Sequence, residues 1–140
     1  MRALAANSPW REGKLEQLEA RYAAFLAAGF FTGRFIGPTG LMWETLQCRD
    51  ATDQIRWLAL LMKCQAAIAN GAGQFPIDPP IRCTSNREYA VSHAVAAQKM
   101  MALMEAYGVG LKNLWRLKDA IRAAETREAL NAIDLDEGWP

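Results

Sequence analysis

The sequence has little of what metal centres and catalytic sites are usually built from. Its 140 residues include one histidine, His93, and three cysteines, Cys48, Cys64 and Cys83. A lone histidine without a cysteine or carboxylate partner at ligand spacing nearly excludes a histidine-based metal site within one chain, so we predict a structural role for it. None of the cysteine spacings is typical of a metal or redox motif, which predicts buried free thiols in a reducing cytoplasm.

Excess charge of one sign and long hydrophobic runs are also lacking. The 16 basic residues nearly balance the 15 acidic ones, and the net charge is +1. A balance so close to zero gives no electrostatic attraction towards nucleic acid or an anionic membrane, and it favours self-association. The most apolar stretch, residues 55–68, is interrupted by Arg56, Lys63 and Gln65 and is shorter than the roughly 20 residues that a membrane span needs. We therefore predict no nucleic-acid partner and no membrane insertion.

Sequence motifs for cofactors and metals are incomplete. The acidic run of Asp134, Asp136 and Glu137 before Gly138 lacks the later oxygen ligands of a calcium loop, including the distal bidentate glutamate. The glycines between residues 29 and 40 lack the strand-to-helix setting and the Lys-Ser/Thr pair of a phosphate loop. We therefore predict no catalytic residues, no cofactor and no metal site, and a protein that is not an enzyme.

Helix signals dominate what is present. Four segments combine a capping residue, apolar residues at helical spacing and a stop signal, and they run to about residues 28, 70, 124 and 133. Their predicted caps are Ser8, Thr52, Ser92 and Thr126. The second segment is apolar around most of its circumference, which predicts a central helix with partners on more than one side. In the third, Gly108 and Gly110 indicate either a kink or a close approach of another backbone.

The connections between these helices contain the β-structure signals. Residues 30–40 predict a hairpin or an irregular loop, and residues 41–47 a strand or a helical turn. Residues 81–91 predict a small β-hairpin around Ser85-Asn86. The predicted fold is mainly α, a small single domain over residues 1–140 with three to four helices and one or two short β-hairpins.

The first predicted helix, residues 9–28, carries a narrow apolar stripe. Leu15, Leu18, Tyr22 and Phe25 alternate by three and four, while charged residues occupy the other faces. This spacing is typical of a helix that pairs with another helix, which makes the four residues candidates for a protein interface. The alternative is that the stripe packs on the core of its own domain.

The five tryptophans are the second source of interface candidates. Trp57 and Trp115 lie on apolar helices, so we predict that both belong to the core. Trp10 and Trp139 lie near the ends of the sequence, and tryptophan is enriched among interface anchors. Trp139 is expected either to fold back on its own chain or to dock on a neighbour.

Residues 46–140 resemble a phage and prophage domain family of unknown function that occurs in tail and tail-fibre-associated proteins. The resemblance is carried by LQCRDATDQIRWLALLMKCQ, PIRCTSNREYAVS and LWRLKDAIRAAETREALNAIDLDEGWP, in that order. These segments look like the family's polar opening before an apolar helix, its hairpin before the long helix, and its C-terminal signature ending in Gly-Trp-Pro. The resemblance brings no catalytic residues with it.

This resemblance implies a non-enzymatic structural or adaptor protein in the tail or tail-fibre region of a tailed bacteriophage. Its expected partners are other tail or fibre proteins and further copies of itself. Its expected location is the virion, after assembly in the cytoplasm of the bacterial host. The alternative is a tail-fibre assembly chaperone that is absent from the mature particle. Residues 46–140 would form the phage-tail-like helical domain, and residues 9–28 an amphipathic helix in front of it.

Overall fold

The computed structural model describes residues 3–6 and 8–140 and shows a mainly helical protein, as the sequence predicts. Within these residues there are four helices and two antiparallel sheets of two short strands each. The helices are α1 (Pro9–Ala27), α2 (Ala51–Ala69), α3 (His93–Ala123) and α4 (Arg127–Asn131). The paired strands are β1 (Phe35–Gly37) with β2 (Gly40–Met42), and β3 (Ile81–Arg82) with β4 (Glu88–Tyr89).

Most helix ends lie where the capping signals place them. The hydroxyl groups of Ser8, Ser92 and Thr126 each accept a hydrogen bond from the backbone N–H three residues later, at 3.1 to 3.2 Å. These bonds satisfy N–H groups that have no partner inside the helix. After α1 and α2 the chain turns at Gly29 and Gly71, whose φ angles of 80° and 79° lie in the left-handed region that favours glycine.

The cap of α2 differs from the prediction. Asp50, and not Thr52, holds the N-cap position, with an extended backbone and a carboxylate that accepts from Asp53 N at 3.0 Å. Thr52 lies inside the first turn. Both residue types make good caps, but a carboxylate is further favoured by the positive end of the helix dipole.

The chain forms two compact units, which are described separately. The first comprises the described parts of Met1–Phe25 and Tyr107–Pro140, and the second comprises Leu26–Ala106. The sequence predicts one domain, with a phage-tail-like part that begins near residue 46, and this stays a prediction. The unit boundaries fall inside α1 and α3.

The first unit is built around α1 and the C-terminal part of α3. Its fully packed core consists of Leu18, Leu114, Leu117, Ile121, Ala124 and Leu130. The buried guanidinium of Arg11 donates to the carbonyl oxygens of Arg122 and Ala124 at 2.8 and 2.9 Å. Arg122 lies in the last turn of α3 and Ala124 directly follows the helix, where carbonyl oxygens are left without an internal partner. A cation at this end is also favoured by the helix dipole.

The second unit contains both sheets, α2 and the N-terminal part of α3. Its buried side chains include Phe35, Leu46, Ile81, Met100 and Leu103. Phe35 and Ile81 lie in strands β1 and β3, Leu46 lies in an isolated bridge with Phe30, and Met100 and Leu103 lie in α3. The core therefore joins β and α elements.

Two predictions about apolar helix residues are wrong. The helix α2 buries only Asp53, Trp57, Leu61 and Cys64, whereas the sequence predicts partners on more than one side. Its other apolar side chains, such as Ile55 at 66% exposure, face outward. Trp57 is buried as predicted, but Trp115 is 56% exposed and is not a core residue. An apolar residue count does not say which face of a helix finds a neighbour.

Candidate protein-interaction surface

The apolar stripe of α1 is covered within its own unit. Leu18 is fully buried and Phe25 nearly so, while Leu15 and Tyr22 are partly buried against the same core cluster. Of the two explanations that the sequence leaves open, the structure shows packing on the chain's own core. These four residues therefore form an internal seam and offer no open surface to another molecule.

Trp139 folds back onto this seam. Its ring centroid lies 5.2 Å from that of Phe25 and 6.1 Å from that of Tyr22, and its indole Nε1 donates to Leu135 O at 2.8 Å. The guanidinium of Arg21 lies 5.1 Å from the Trp139 ring centroid and also pairs with Asp136 at 2.8 Å. The C-terminal segment is thus held against α1 by aromatic packing, a cation–π contact and an ion pair.

Trp10 is the one exposed member of the six predicted interface residues. Its ring lies under the guanidinium of Arg127, 4.6 Å from centroid to carbon, and more than half of the residue remains accessible. The six residues therefore do not come together as an exposed surface. Any such surface must be sought elsewhere on the molecule.

The second unit carries an exposed apolar surface on its first hairpin. We call it the ribbon face and define it by Phe31, Ile36, Leu41 and Trp43. Their exposed fractions are 41%, 81%, 63% and 61%, respectively. The rings of Phe31 and Trp43 stack in parallel, with centroids 3.7 Å apart and an interplanar angle of 6°. Large apolar side chains that lie together on a surface are typical of an interaction site.

Strand geometry explains why these side chains point outward. Successive side chains on a strand alternate between its two faces. Phe35 pairs with Met42 and faces the core, so the next pair, Ile36 and Leu41, must face away from it. Trp43 follows Leu41 by two residues and is exposed on the same alternation. The exposure of the ribbon face is therefore a direct consequence of burying Phe35.

The buried Lys99 of α3 fixes the base of this hairpin. Its ammonium group donates to Arg34 O at 3.0 Å and more weakly to Gly33 O at 3.4 Å. It also lies 3.9 Å from the centroid of the Phe35 ring. Burial lowers the pKa of Lys99, because the charged form loses its hydration. The carbonyl and ring contacts replace part of that hydration and hold β1 against α3.

A second set of contacts holds the end of the hairpin that leaves β2. The hydroxyl of Tyr89 donates to the buried carboxylate of Glu44, and Arg87 lies 3.8 Å from the same oxygen. Further along, Phe30 and Leu46 exchange two backbone hydrogen bonds of 2.8 Å each. The segment that carries the ribbon face is therefore held by Lys99 before β1, by Tyr89 after β2, and by the backbone pairing of Phe30 with Leu46.

The ionisation of this network follows from its burial and hydrogen bonds. Burial tends to raise the pKa of Glu44, but hydrogen bonds from Tyr89 and Ser85 and the charge of Arg87 outweigh it and leave the pKa below its ordinary value. The same hydrogen bond to Glu44 raises the pKa of Tyr89 to about 12. At neutral pH the network therefore contains a carboxylate that accepts from a neutral phenol.

A cleft of about 560 Å³ opens beside β1 and is lined by Phe35, Tyr89, Val95 and Lys99, among others. The two buried polar side chains in its wall are already engaged, Tyr89 with Glu44 and Lys99 with the carbonyl oxygens of Gly33 and Arg34. These two side chains are therefore not free to bind a ligand in the cleft.

The remaining candidates for chemistry are the three cysteines and the single histidine. The thiols Cys48, Cys64 and Cys83 are free and buried, as predicted, and burial raises the pKa of Cys83 to about 12. The ring Nδ1 of His93 lies 2.7 Å from Phe75 O. Among the described residues no three His, Cys, Asp or Glu side chains are placed to hold a metal ion. No described helix is both long and apolar enough to cross a membrane.

The ribbon face was missed at the sequence level, although a signal was present. Arg34 is the only charged residue in residues 30–43, a segment rich in aromatic and aliphatic side chains. A two-stranded hairpin that packs on the core from one side buries only one of its two faces. Because almost all residues of this hairpin are uncharged, its other face exposes apolar side chains to solvent.

Comparison of the chain with protein-family models, with curated proteins and with solved structures found no significant match. The resemblance of residues 46–140 to a phage domain family therefore stays a prediction.

Proposed function

We propose that this chain is a structural or adaptor protein that acts through protein–protein contacts, in the tail or tail-fibre region of a tailed bacteriophage. The ribbon face carries the first part of this proposal. It presents four large apolar side chains on an anchored hairpin, so little conformational freedom is lost when a partner covers it. The phage assignment is supported by the resemblance of residues 46–140 to phage tail-associated domains.

The hairpin is better suited to binding a protein than to chemistry. Aromatic side chains supply a large contact area at a low cost in side-chain entropy, and Trp43 and Phe31 restrain one another by stacking. Two of the four ion pairs among the described residues, Arg21–Asp136 and Lys118–Glu19, lie in the first unit. The other two, Arg49–Asp53 and Arg87–Glu44, lie in the second unit, but none of the four side chains of the ribbon face takes part in them. The proposed contact therefore depends on apolar burial.

Mass spectrometry of purified phage particles tests the assignment. We expect the chain to be present in a fixed ratio to known tail proteins after particles are banded in a density gradient. A chain that is abundant in the lysate and missing from the banded particles would contradict a structural role. Binding to the fibre during co-expression, combined with that absence, would identify an assembly chaperone.

A matched pair of tryptophan variants connects the ribbon face to this role. Phage carrying Trp43→Ser should yield fewer infectious particles, because the substitution removes the largest ring of the ribbon face. Phage carrying Trp115→Ser should yield normal numbers, since Trp115 is similarly exposed but lies on α3 in the first unit. Equal titres for the two variants would contradict a role for the ribbon face.

A further inference from the structure

We infer that the ribbon face packs against the ribbon face of a second copy of this chain, forming a two-fold symmetric dimer. This inference rests on the proposed function only in so far as both require a protein contact at this surface. In this dimer the second copy covers the side chains of Phe31, Ile36, Leu41 and Trp43.

The low charge of this hairpin and of the whole chain favours a contact between two copies. The four side chains of the ribbon face are all apolar, and the one charged residue in residues 30–43 is Arg34, which is exposed and precedes Ile36 by two positions. Each copy therefore brings one basic side chain to the contact, whereas α2 would bring Arg56 and Lys63, so like-charge repulsion is smaller at the ribbon face. The net charge of +1 for the whole chain adds almost no long-range repulsion.

The size of the ribbon face matches the lower range of specific interfaces. From their exposed fractions, the four side chains offer on the order of 500 Å² of apolar surface, given that a large aromatic can bury 150–250 Å². Covering this area on two copies removes about 1,000 Å², which is where specific interfaces begin. We therefore expect a dimer of moderate affinity, with a Kd of about 10 µM.

A two-fold contact would bring the same apolar side chains of the two copies together. In a two-fold symmetric contact, if one residue of the first copy contacts a second residue of the other copy, the same pair also meets with the two copies exchanged. Two apolar sheet faces stack about 10 Å apart, with side chains interdigitating as in a small sandwich. The cross-strand pair of Ile36 and Leu41 supplies aliphatic side chains beside the ring of Trp43, so each copy offers both.

The exposed face of α2 is a weaker candidate for the same role. Ile55, Leu58 and Met62 lie outward on it, but Arg56 and Lys63 are interleaved with them. The only acidic residue in α2 is Asp53, which is buried and bonded to Arg49. Pairing two copies of this face would bring basic side chains together without acidic partners, which is unfavourable.

Crosslinking tests the predicted neighbourhood directly. The three native cysteines are buried, so a cysteine introduced on the surface is the reactive one. We expect Ile36→Cys to give a covalent dimer with a bismaleimide that spans about 10 Å, the spacing of stacked sheets. Ile55→Cys is the matched control, because Ile55 is comparably exposed but lies on α2. Dimer yields that are equal for the two variants would overturn the inference.

Sedimentation analysis provides the second test. At about 100 µM, ten times the expected Kd, about four-fifths of the wild-type chain should be dimeric, which gives a weight-average mass about 1.8 times the monomer mass of 15.5 kDa. Ile36→Glu and Trp43→Ser should each weaken association at least about tenfold, with unchanged circular dichroism, because both positions are exposed in the monomer. Trp115→Ser and Leu58→Ser should leave the dimer intact.

Three results of that test would overturn the inference. They are a wild-type monomer at about 100 µM, a dimer that survives both ribbon substitutions, and a dimer that is lost equally in the controls. The outcome is separable from the proposed function. A monomeric chain found in particles would leave the virion assignment standing, and a dimer that is missing from particles would leave the ribbon contact standing.

Discussion

At the scale of single residues, Gly110 is a position where a side chain has no room. A Cβ atom at Gly110 would overlap the ring of Phe25. That ring is buried and packs against Tyr22 and Trp139, so it has little room to move. One of the two possibilities that the sequence raises for this glycine is the close approach of another backbone, and the structure does not show it. A side chain is what approaches it.

The two glycines of α3 should respond to alanine with opposite signs. Gly110→Ala should lower the free energy of unfolding by about 1–2 kcal/mol, since overpacking outweighs the gain in helix propensity. Gly108→Ala should raise it by up to about 1 kcal/mol, because a Cβ there meets nothing within 4 Å and alanine favours the helix. Urea unfolding followed by circular dichroism measures both. Changes of the same sign would show that the ring of Phe25 yields.

At the scale of elements, α2 is defined at its start by one carboxylate. Asp50 caps the helix and Asp53 follows in its first turn, where Arg49 donates to it at 3.0 Å. The hydrogen bond from Arg49 is the largest cause of the lowered pKa of Asp53. The charged form of Asp53 is therefore favoured, close to the positive end of the helix.

The competing caps of α2 can be separated by substitution. Asp50→Ala should lower the free energy of unfolding by about 1 kcal/mol, because Asp53 N loses its acceptor. Thr52→Ala should be neutral or slightly stabilising, since alanine is the better helix former inside the first turn. Thermal and urea unfolding of the two variants give the comparison. A larger loss for Thr52→Ala would restore the cap predicted from the sequence.

At the scale of the whole molecule, stability should fall at both ends of the pH range. Glu44 and Asp53 have pKa values below their ordinary 4.5 and 3.8, so their contribution is present above those values and is lost as the pH falls through the lowered ones. Tyr89 and Cys83 have pKa values raised to about 12. Their contribution is present below their ordinary values of 10 and 9 and is lost as the pH rises towards 12.

Tyr89→Phe should make the acid side of this profile shallower. At pH 7 the substitution removes a hydrogen bond to a charged carboxylate, which is roughly twice as strong as a neutral one. As the pH falls through the lowered pKa of Glu44 its carboxylate is protonated, so the loss of unfolding free energy should shrink to about half. Urea titrations at pH 7 and at a series of acidic pH values measure the difference. Tyr107→Phe, in the first unit, is the control and should show no such dependence on pH.

The local features of this fold were predictable because they depend on neighbouring residues. Hydroxyl caps, stop glycines and a turn at Ser85-Asn86 act over three or four positions, and the helices and second hairpin lie where these signals place them. The interior thiols were also predictable from residue type and spacing. In each case a short-range preference is strong enough that tertiary contacts do not override it.

The functional surface depended on which side of each element found a neighbour. Leu18 and Trp57 became core while Ile55, Trp43 and Trp115 remained exposed, although all five are large and apolar. The sequence by itself determined the helices, most of their ends and the absence of excess charge. Only the tertiary structure decided that the stripe of α1 is internal and that the ribbon face is open. The physical reason is that apolar burial is non-directional, so a residue's hydrophobicity cannot specify the molecule that will cover it.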